Sequence, residues 1–326
     1  MLSRVAESIF WMSRYIERAD NTARFIDVNV RLILDIPMDI SLQWEPMIRV
    51  TGDSDLFNEQ HRSSNQENVV NFLVFDRNYP NSIISCVNMA RENARTIREI
   101  ISTEMWRCIN EFYLFLLNPM ARSEALASPN SFFTKIKNYS QLLAGLTEGT
   151  MAHNEGWHFS RMGRFLERAD KTSRILDVKY FIILPEVDYV GTAVDTLQWA
   201  ALLRSASALD MYRKQYHQVT PSNVTQFLFF EPDFPRSVKY CLRECDTSMH
   251  DITGAPLGSY STLAERQLGL LLAEIEYADV TEIIQAGLHE YIDTFQLKLN
   301  GVGDAISSSF FAAQLPETLT TRKRLR

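Results

Sequence analysis

The sequence predicts an all-α protein, a long-helix bundle built from two internally duplicated halves related by a pseudo-twofold. Three observations carry this. The chain has 326 residues but only 12 glycines and 11 prolines, against averages of roughly 7% and 5%. Few breakers means long elements, and helices tolerate breakers least. Second, apolar residues recur at a strict 3,4,3,4 spacing through Ile9, Met12, Ile16, Ala19, Ala23, Ile26, Val30 and Ile33, and again through Phe159, Met162, Leu166, Ala169, Ser173, Leu176, Tyr180 and Ile183. That spacing is the buried seam of a helix. Third, RYIERADNTARFIDV (14–28) and RFLERADKTSRILDV (164–178) agree at nine of fifteen positions.

The repeat extends further. Leu42-Gln43-Trp44 recurs as Leu197-Gln198-Trp199, and NVVNFLVFDRNYPNSI (68–83) as NVTQFLFFEPDFPRSV (223–238). The offset is 150 for the first match and 155 for the others. A unit this long is not a solenoid repeat, so two packed halves are expected. The expected organisation is one domain over 1–326. Its first repeat covers about 1–122, a polar connection and linking helix about 123–152, the second repeat about 153–300, and a basic tail about 314–326.

In chain order, a helix of about thirty residues opens each half, ended by Pro37 and Pro185. The small residues in mid-seam would let a partner helix approach closely. Further helices are expected over 44–60, 64–75, 80–117, 131–149, 197–216, 222–230, 235–250, 262–285 and 287–299. Asp76–Pro80 and Glu231–Pro235 read as matched turns with proline opening the next helix. ARSEALASPNS (121–131) reads as a polar loop.

Composition excludes several functions. A net charge of -7 argues against non-specific nucleic-acid binding. The four cysteines form no CxxC pair, which reads as a reduced intracellular chain. No apolar run approaches the roughly 18 residues that span a bilayer. The N-terminal stretch is charged and amphipathic rather than secretory, so the expected place is the cytoplasm. There is no P-loop, GxGxxG or GxSxG, and no Glu-x-x-His pair for a di-iron site. The six histidines lack ligand spacing, so no metal is expected.

Two clusters could carry chemistry. On the first helix Glu17, Asp20, Arg24 and Asp27 share an arc of about 80° at 100° per residue, with Arg14 and Arg18 further round. Asp27 and Arg31 are also an i,i+4 pair. The second helix repeats the pattern in Arg164, Glu167, Arg168, Asp170, Arg174 and Asp177. These charges read either as ordinary helix ion pairs or as a partly buried polar network that lines a ligand site. They persist between the copies while neighbouring apolar residues drift. The second cluster is Arg91, Arg95 and Arg98 at i, i+4 and i+7, with Glu104 and Trp106 beyond. Three guanidiniums on one face suit a carboxylate or phosphate; the plainer alternative is a basic face paired with acidic neighbours. The second copy has Asp246, His250 and Thr253 at these positions. Loss in one half suggests a single site, drawing on this arginine face and on the paired acidic helices.

YIERADNTARFIDV, ARENARTIREIISTEMW and GWHFSRMGRFLERADKTSRILDVKYF resemble the bacterial alpha-E family, an all-helical domain named for a Glu-Arg motif. The resemblance covers nearly the whole chain. Its Glu-Arg motifs fall on Glu17-Arg18 and Glu167-Arg168, and its Arg-Glu-Asn-x-Arg motif on Arg91, Glu92, Asn93 and Arg95, followed by Arg98, Glu104 and Trp106. The resemblance implies a circularly permuted ATP-grasp ligase as partner, with a transglutaminase-like protease nearby and a peptide or amino acid as substrate. ATP and magnesium would then belong to the ligase, with no cofactor on this chain. On one reading the arginines hold a carboxylate or acyl phosphate while Glu17 or Glu167, its pKa raised by burial, acts as a base. On another, the chain is a non-catalytic helical adaptor that docks the ligase or its peptide. A third reading is an independent hydrolase or transferase.

Overall fold

The structure is a computed structural model that describes residues 1–35, 44–181 and 192–312. Among the described residues it is all-helical, with no strand. The first part holds α1 (Ser3–Asp35), α2 (Glu45–Arg49), α3 (Ser54–Gln60), α4 (Gln66–Val70), α5 (Ile83–Thr96), α6 (Thr103–Leu117), α7 (Ala121–Ala127) and α8 (Pro129–Thr150). The second holds α9 (Glu155–Phe181), α10 (Ala193–Ser205), α11 (Leu209–Gln215), α12 (Pro221–Thr225), α13 (Val238–Thr253), α14 (Leu263–Glu276), α15 (Val280–Ala286) and α16 (Leu288–Ile306). Pro37, Pro185, Ile183, Leu42, Gln43 and the stretch 314–326 lie outside the described residues, as do the side chains of Arg31, Ile33 and Tyr180.

The two long helices form the centre. α1 packs on α9, α5 and α8; α9 packs on α1, α13 and α16. The central pair runs parallel, with Met1 beside Glu155, Phe10 beside Gly163 and Ser13 beside Ser160. Ile9, Met12, Ala19, Ala23 and Ile26 are buried on one side, and Met162, Leu166, Ala169, Ser173 and Leu176 on the other. A close contact lies at Gly163, where an added Cβ would sit 2.3 Å from the Phe10 carbonyl oxygen. Only glycine lets the backbones meet there. A π-helical turn, Ser307–Phe311, returns to this end of α1 and packs Phe311 at a tilt against Phe10 (5.4 Å) and Phe310 edge-on against Phe159 (5.6 Å).

The helices outside the centre follow the same order in both halves. α4 and α12 each pass into a π-helical turn, Asn71–Phe75 and Gln226–Phe230. Next come α5 and α13, each capped by a serine. Ser82 accepts from the Ser85 amide (3.2 Å) and Ser237 from the Tyr240 amide (3.1 Å). The helices therefore open at these serines rather than at Pro80 and Pro235, because the hydroxyl satisfies an amide that the helix leaves unpaired.

Other expected boundaries also differ. The stretch 80–117 is two helices, separated at Ile97–Ser102, with Ser102 capping α6. The stretch 44–60 breaks at Gly52, which takes φ +77. The stretch 197–216 breaks at Ser207, which takes φ 51. The polar loop expected at 121–131 contains α7, because its alanines favour helix and Ala121 and Ala125 pack inward. No described helix is long and apolar enough to cross a membrane.

Candidate functional site

The Glu-Arg dipeptides meet at the α1–α9 contact and exchange partners. Glu167, fully buried, accepts from Arg14 Nε (2.9 Å) and from Arg18 Nε (2.6 Å) and Nη2 (3.0 Å). Glu17, 4% exposed, accepts from Arg168 Nε (2.8 Å) and Nη2 (2.9 Å). Each arginine thus pairs with the glutamate of the other helix. Parallel fork-on-carboxylate pairs of this kind are the strong, orienting form of ion pair.

A second layer binds each cluster. On one side, Lys171 lies 2.8 Å from Asp170 and 3.5 Å from Glu167, and Arg174 Nε lies 3.1 Å from Asp170. On the other, Arg236 reaches Glu17 (3.2 Å), Asn21 (3.0 Å) and Asp20 (2.8 Å), while Arg24 holds Asp20 at 2.7 Å. Arg24 also donates to the hydroxyl of Ser207, the residue at positive φ between α10 and α11. That backbone costs about 1 kcal/mol or more, and it sets the hydroxyl where the guanidinium ends.

The electrostatics reverse the raised pKa expected for a base. Burial works to raise Glu17, but the guanidiniums of Arg168 and Arg236 outweigh it and hold the carboxyl far below its usual range. Burial likewise acts on Glu167, and Arg18, Lys171 and Arg14 outweigh it in the same direction. Asp170 is brought down to about 2: burial opposes, and Lys171 and Arg174 prevail. These carboxylates stay ionised and are poor proton acceptors.

Beside the Glu167 cluster lies a cavity of about 70 Å³, partly open to solvent. Arg18, Lys171 and Arg174 give it its charge, Asn21, Thr22, Thr51, Tyr79 and Asn81 add neutral polar groups, and Phe25, Val50, Leu73 and Ile175 line the apolar part. Arg18 and Asn81, joined at 2.7 Å, also border a larger groove of about 560 Å³ that runs past Arg77 and Met89 to Tyr113.

The structure therefore brings Glu17, Arg18, Asp20, Arg24, Glu167, Arg168, Asp170 and Arg174 into one network. It does not bring Arg91, Glu92, Asn93, Arg95, Arg98, Glu104 and Trp106 into it. Arg91 bonds Asn110 (2.8 Å) and Glu92 (3.1 Å) and lies 5.0 Å over the Tyr113 ring. Arg95 is exposed and pairs with Glu92 at 2.7 Å. Asn93 donates to the Met89 carbonyl (2.9 Å). Arg98 falls after the end of α5, so the three arginines do not continue one helical face; it stacks over Trp106 at 4.9 Å. Glu104 is exposed in the first turn of α6. The expected convergence of this face on the acidic helices is not found; the face meets the groove at Met89, through Asn93, and at Tyr113, through Arg91.

Sequence reading passed over Asn21, Asn81, Lys171 and Arg236. The repeat held the signal: Asn21 aligns with Lys171 at offset 150 and Asn81 with Arg236 at offset 155. It also did not group Asp177, His289 and Asp293, whose ligand-type atoms lie within 4.8 Å of one another. His289 uses its two ring nitrogens separately, Nδ1 toward Asp177 (2.7 Å) and Nε2 toward Asp293 (3.6 Å). Cys86 and Cys241 are buried free thiols that each donate to a proline carbonyl, and burial pushes both to about 12.

Fold and site together define a class: an all-helical domain whose two Glu-Arg helices lock one another through buried, exchanged ion pairs. The chain belongs to the Alpha-E family, described as a predicted alpha-helical domain with a conserved ER motif, whose model matches residues 1–311. It is similar to an uncharacterized protein of Mycobacterium bovis and to one of Mycobacterium tuberculosis, each 20% identical over 331 residues. These matches cover 95% of this chain but 37% of each relative. No solved structure matches it.

Proposed function

We propose that this protein is a substrate-holding, non-catalytic partner of a circularly permuted ATP-grasp ligase in peptide formation or modification, binding a carboxylate or phosphate through its cationic side chains. One observation carries the reading. Glu17 and Glu167, the two acids best placed for proton transfer, are buried, each bonded to more than one cation, and held far below their usual pKa. A general base works best with a pKa near the operating pH, so the chemistry belongs to a partner. The greater length of the mycobacterial relatives is in keeping with this, since there the matched unit shares a polypeptide with much further chain. The adaptor reading remains the second choice, favoured by the extensive pairing of the same charges.

The test is reconstitution with the cognate ligase. The chain is expected to raise amino-acid- or peptide-dependent ADP release, and Arg174→Gln to reduce that stimulation about tenfold while co-purification persists. Stimulation unaffected by Arg174→Gln would favour the adaptor. Ligation or hydrolysis by this chain alone would overturn the proposal.

A further inference from the structure

The two halves solve one electrostatic problem differently. In both, a cation must bridge the buried glutamate and the aspartate one turn on. Around Glu17 and Asp20 the bridge is Arg236, while position 21 is a neutral asparagine. Around Glu167 and Asp170 the bridge is Lys171, which aligns with Asn21, while Asn81 stands where Arg236 does in the other half. The exchange keeps the bridge but not the volume. Arg236 extends a long guanidinium into its cluster; Asn81 is short, and the cavity of about 70 Å³ opens beside it.

The charge balance differs as well. Among the described residues, Arg18, Lys171 and Arg174, the cations of the cavity wall, form ion pairs with Glu167 and Asp170. Arg174 spends Nε on Asp170 and reaches the Val50 carbonyl only at 3.4 Å. Cations in excess of carboxylates on a cavity wall attract an anion, and more strongly where water is partly excluded. Most of the remaining wall is apolar, through Phe25, Val50, Leu73 and Ile175, with Asn21, Thr22, Thr51 and Tyr79 among it, so a ligand with an apolar body gains burial there that a bare hydrated ion does not.

We propose that this cavity binds a small carboxylate with an apolar body of a few carbons, seated with its carboxylate toward Lys171 and Arg174 and its hydrocarbon against Phe25, Leu73 and Ile175, and that only this half of the molecule holds one. The inference rests on the reading of the protein as a carboxylate-holding partner, but its test needs no ligase, so the two fail separately. A free short-chain acid and the C-terminal residue of a peptide share this chemistry.

Isothermal titration calorimetry on the full chain at low salt distinguishes them, with isovalerate as the free acid, N-acetyl-leucine as the peptide end, and isovaleramide and inorganic phosphate as comparisons. One of the two carboxylates should bind at least about tenfold more tightly than amide or phosphate, about 1.4 kcal/mol; the tighter one names the source. Asn81→Arg, which copies the other half, should fill the cavity and abolish binding with the circular dichroism spectrum unchanged. Should that variant not fold, Arg174→Gln, at a half-buried position, should weaken binding about tenfold. Equal binding of acid and amide, phosphate binding as tight as the acid, no binding, or binding untouched in a folded variant would each overturn the proposal.

Discussion

Glu167 accepts from Arg14 and Arg18 at full burial. Removing its charge strands those cations, and breaking a buried pair from one side costs about 3–5 kcal/mol. Glu167→Gln should therefore lower the unfolding free energy by that much in chemical denaturation, and a change under 1 kcal/mol would mean the pairs are solvated. The pH dependence follows from the same groups. Folded Glu17, Glu167 and Asp170 have lowered pKa values, so the unfolded chain binds more protons in acid. Their stabilisation is fully present above the unfolded values of 4.5 and 3.8 and is lost as pH falls toward about 2, the folded value of Asp170. Melting temperature should fall steeply below about pH 4.5, and less steeply in Glu167→Gln. The sequence revealed these acids because both copies keep them. It did not reveal the sign of the glutamates' pKa shifts, because that sign depends on cations arriving from far along the chain, Arg168 and Arg236 at Glu17 and Arg18 and Arg14 at Glu167.

At the scale of elements, the long helices were legible in their seams and the capped starts were not. An N-cap is one hydroxyl at one backbone angle, which apolar periodicity does not register. Ser82→Ala and Ser237→Ala should each cost about 1 kcal/mol, read as a lower melting temperature without change in helix content. The break after Ile97 was hidden because Arg91, Arg95 and Arg98 mimic a continuous face. One close helix contact was not singled out in the sequence: the small residues noted were the mid-seam alanines and serine, and Gly163, where the α9 backbone meets that of Phe10, lies outside the seam. Gly163→Ala would place a methyl 2.3 Å from the Phe10 carbonyl, so the helices must separate. Overpacking of this kind costs about 1–3 kcal/mol, and an unchanged melting temperature would contradict the contact.

At the scale of the molecule, each buried glutamate draws its arginines from the other half: Glu17 from Arg168 and Arg236, and Glu167 from Arg14 and Arg18. An isolated half would lose those arginines together with the helix that covers its glutamate. The chain should therefore unfold in one cooperative transition, with far- and near-ultraviolet circular dichroism melting together; two separated transitions would show independent halves. The all-α class and the matching order of elements were readable from the repeat, whereas the exchange of bridging cation was readable only by asking where the copies disagree. The meeting of backbones at Gly163 also has a mechanical meaning. It rivets the two long helices near their starting ends, like scissor blades pinned close to one tip. Any relative swing is smallest at the pin and grows along the blades, toward Phe25 and Ile175 at the cavity wall.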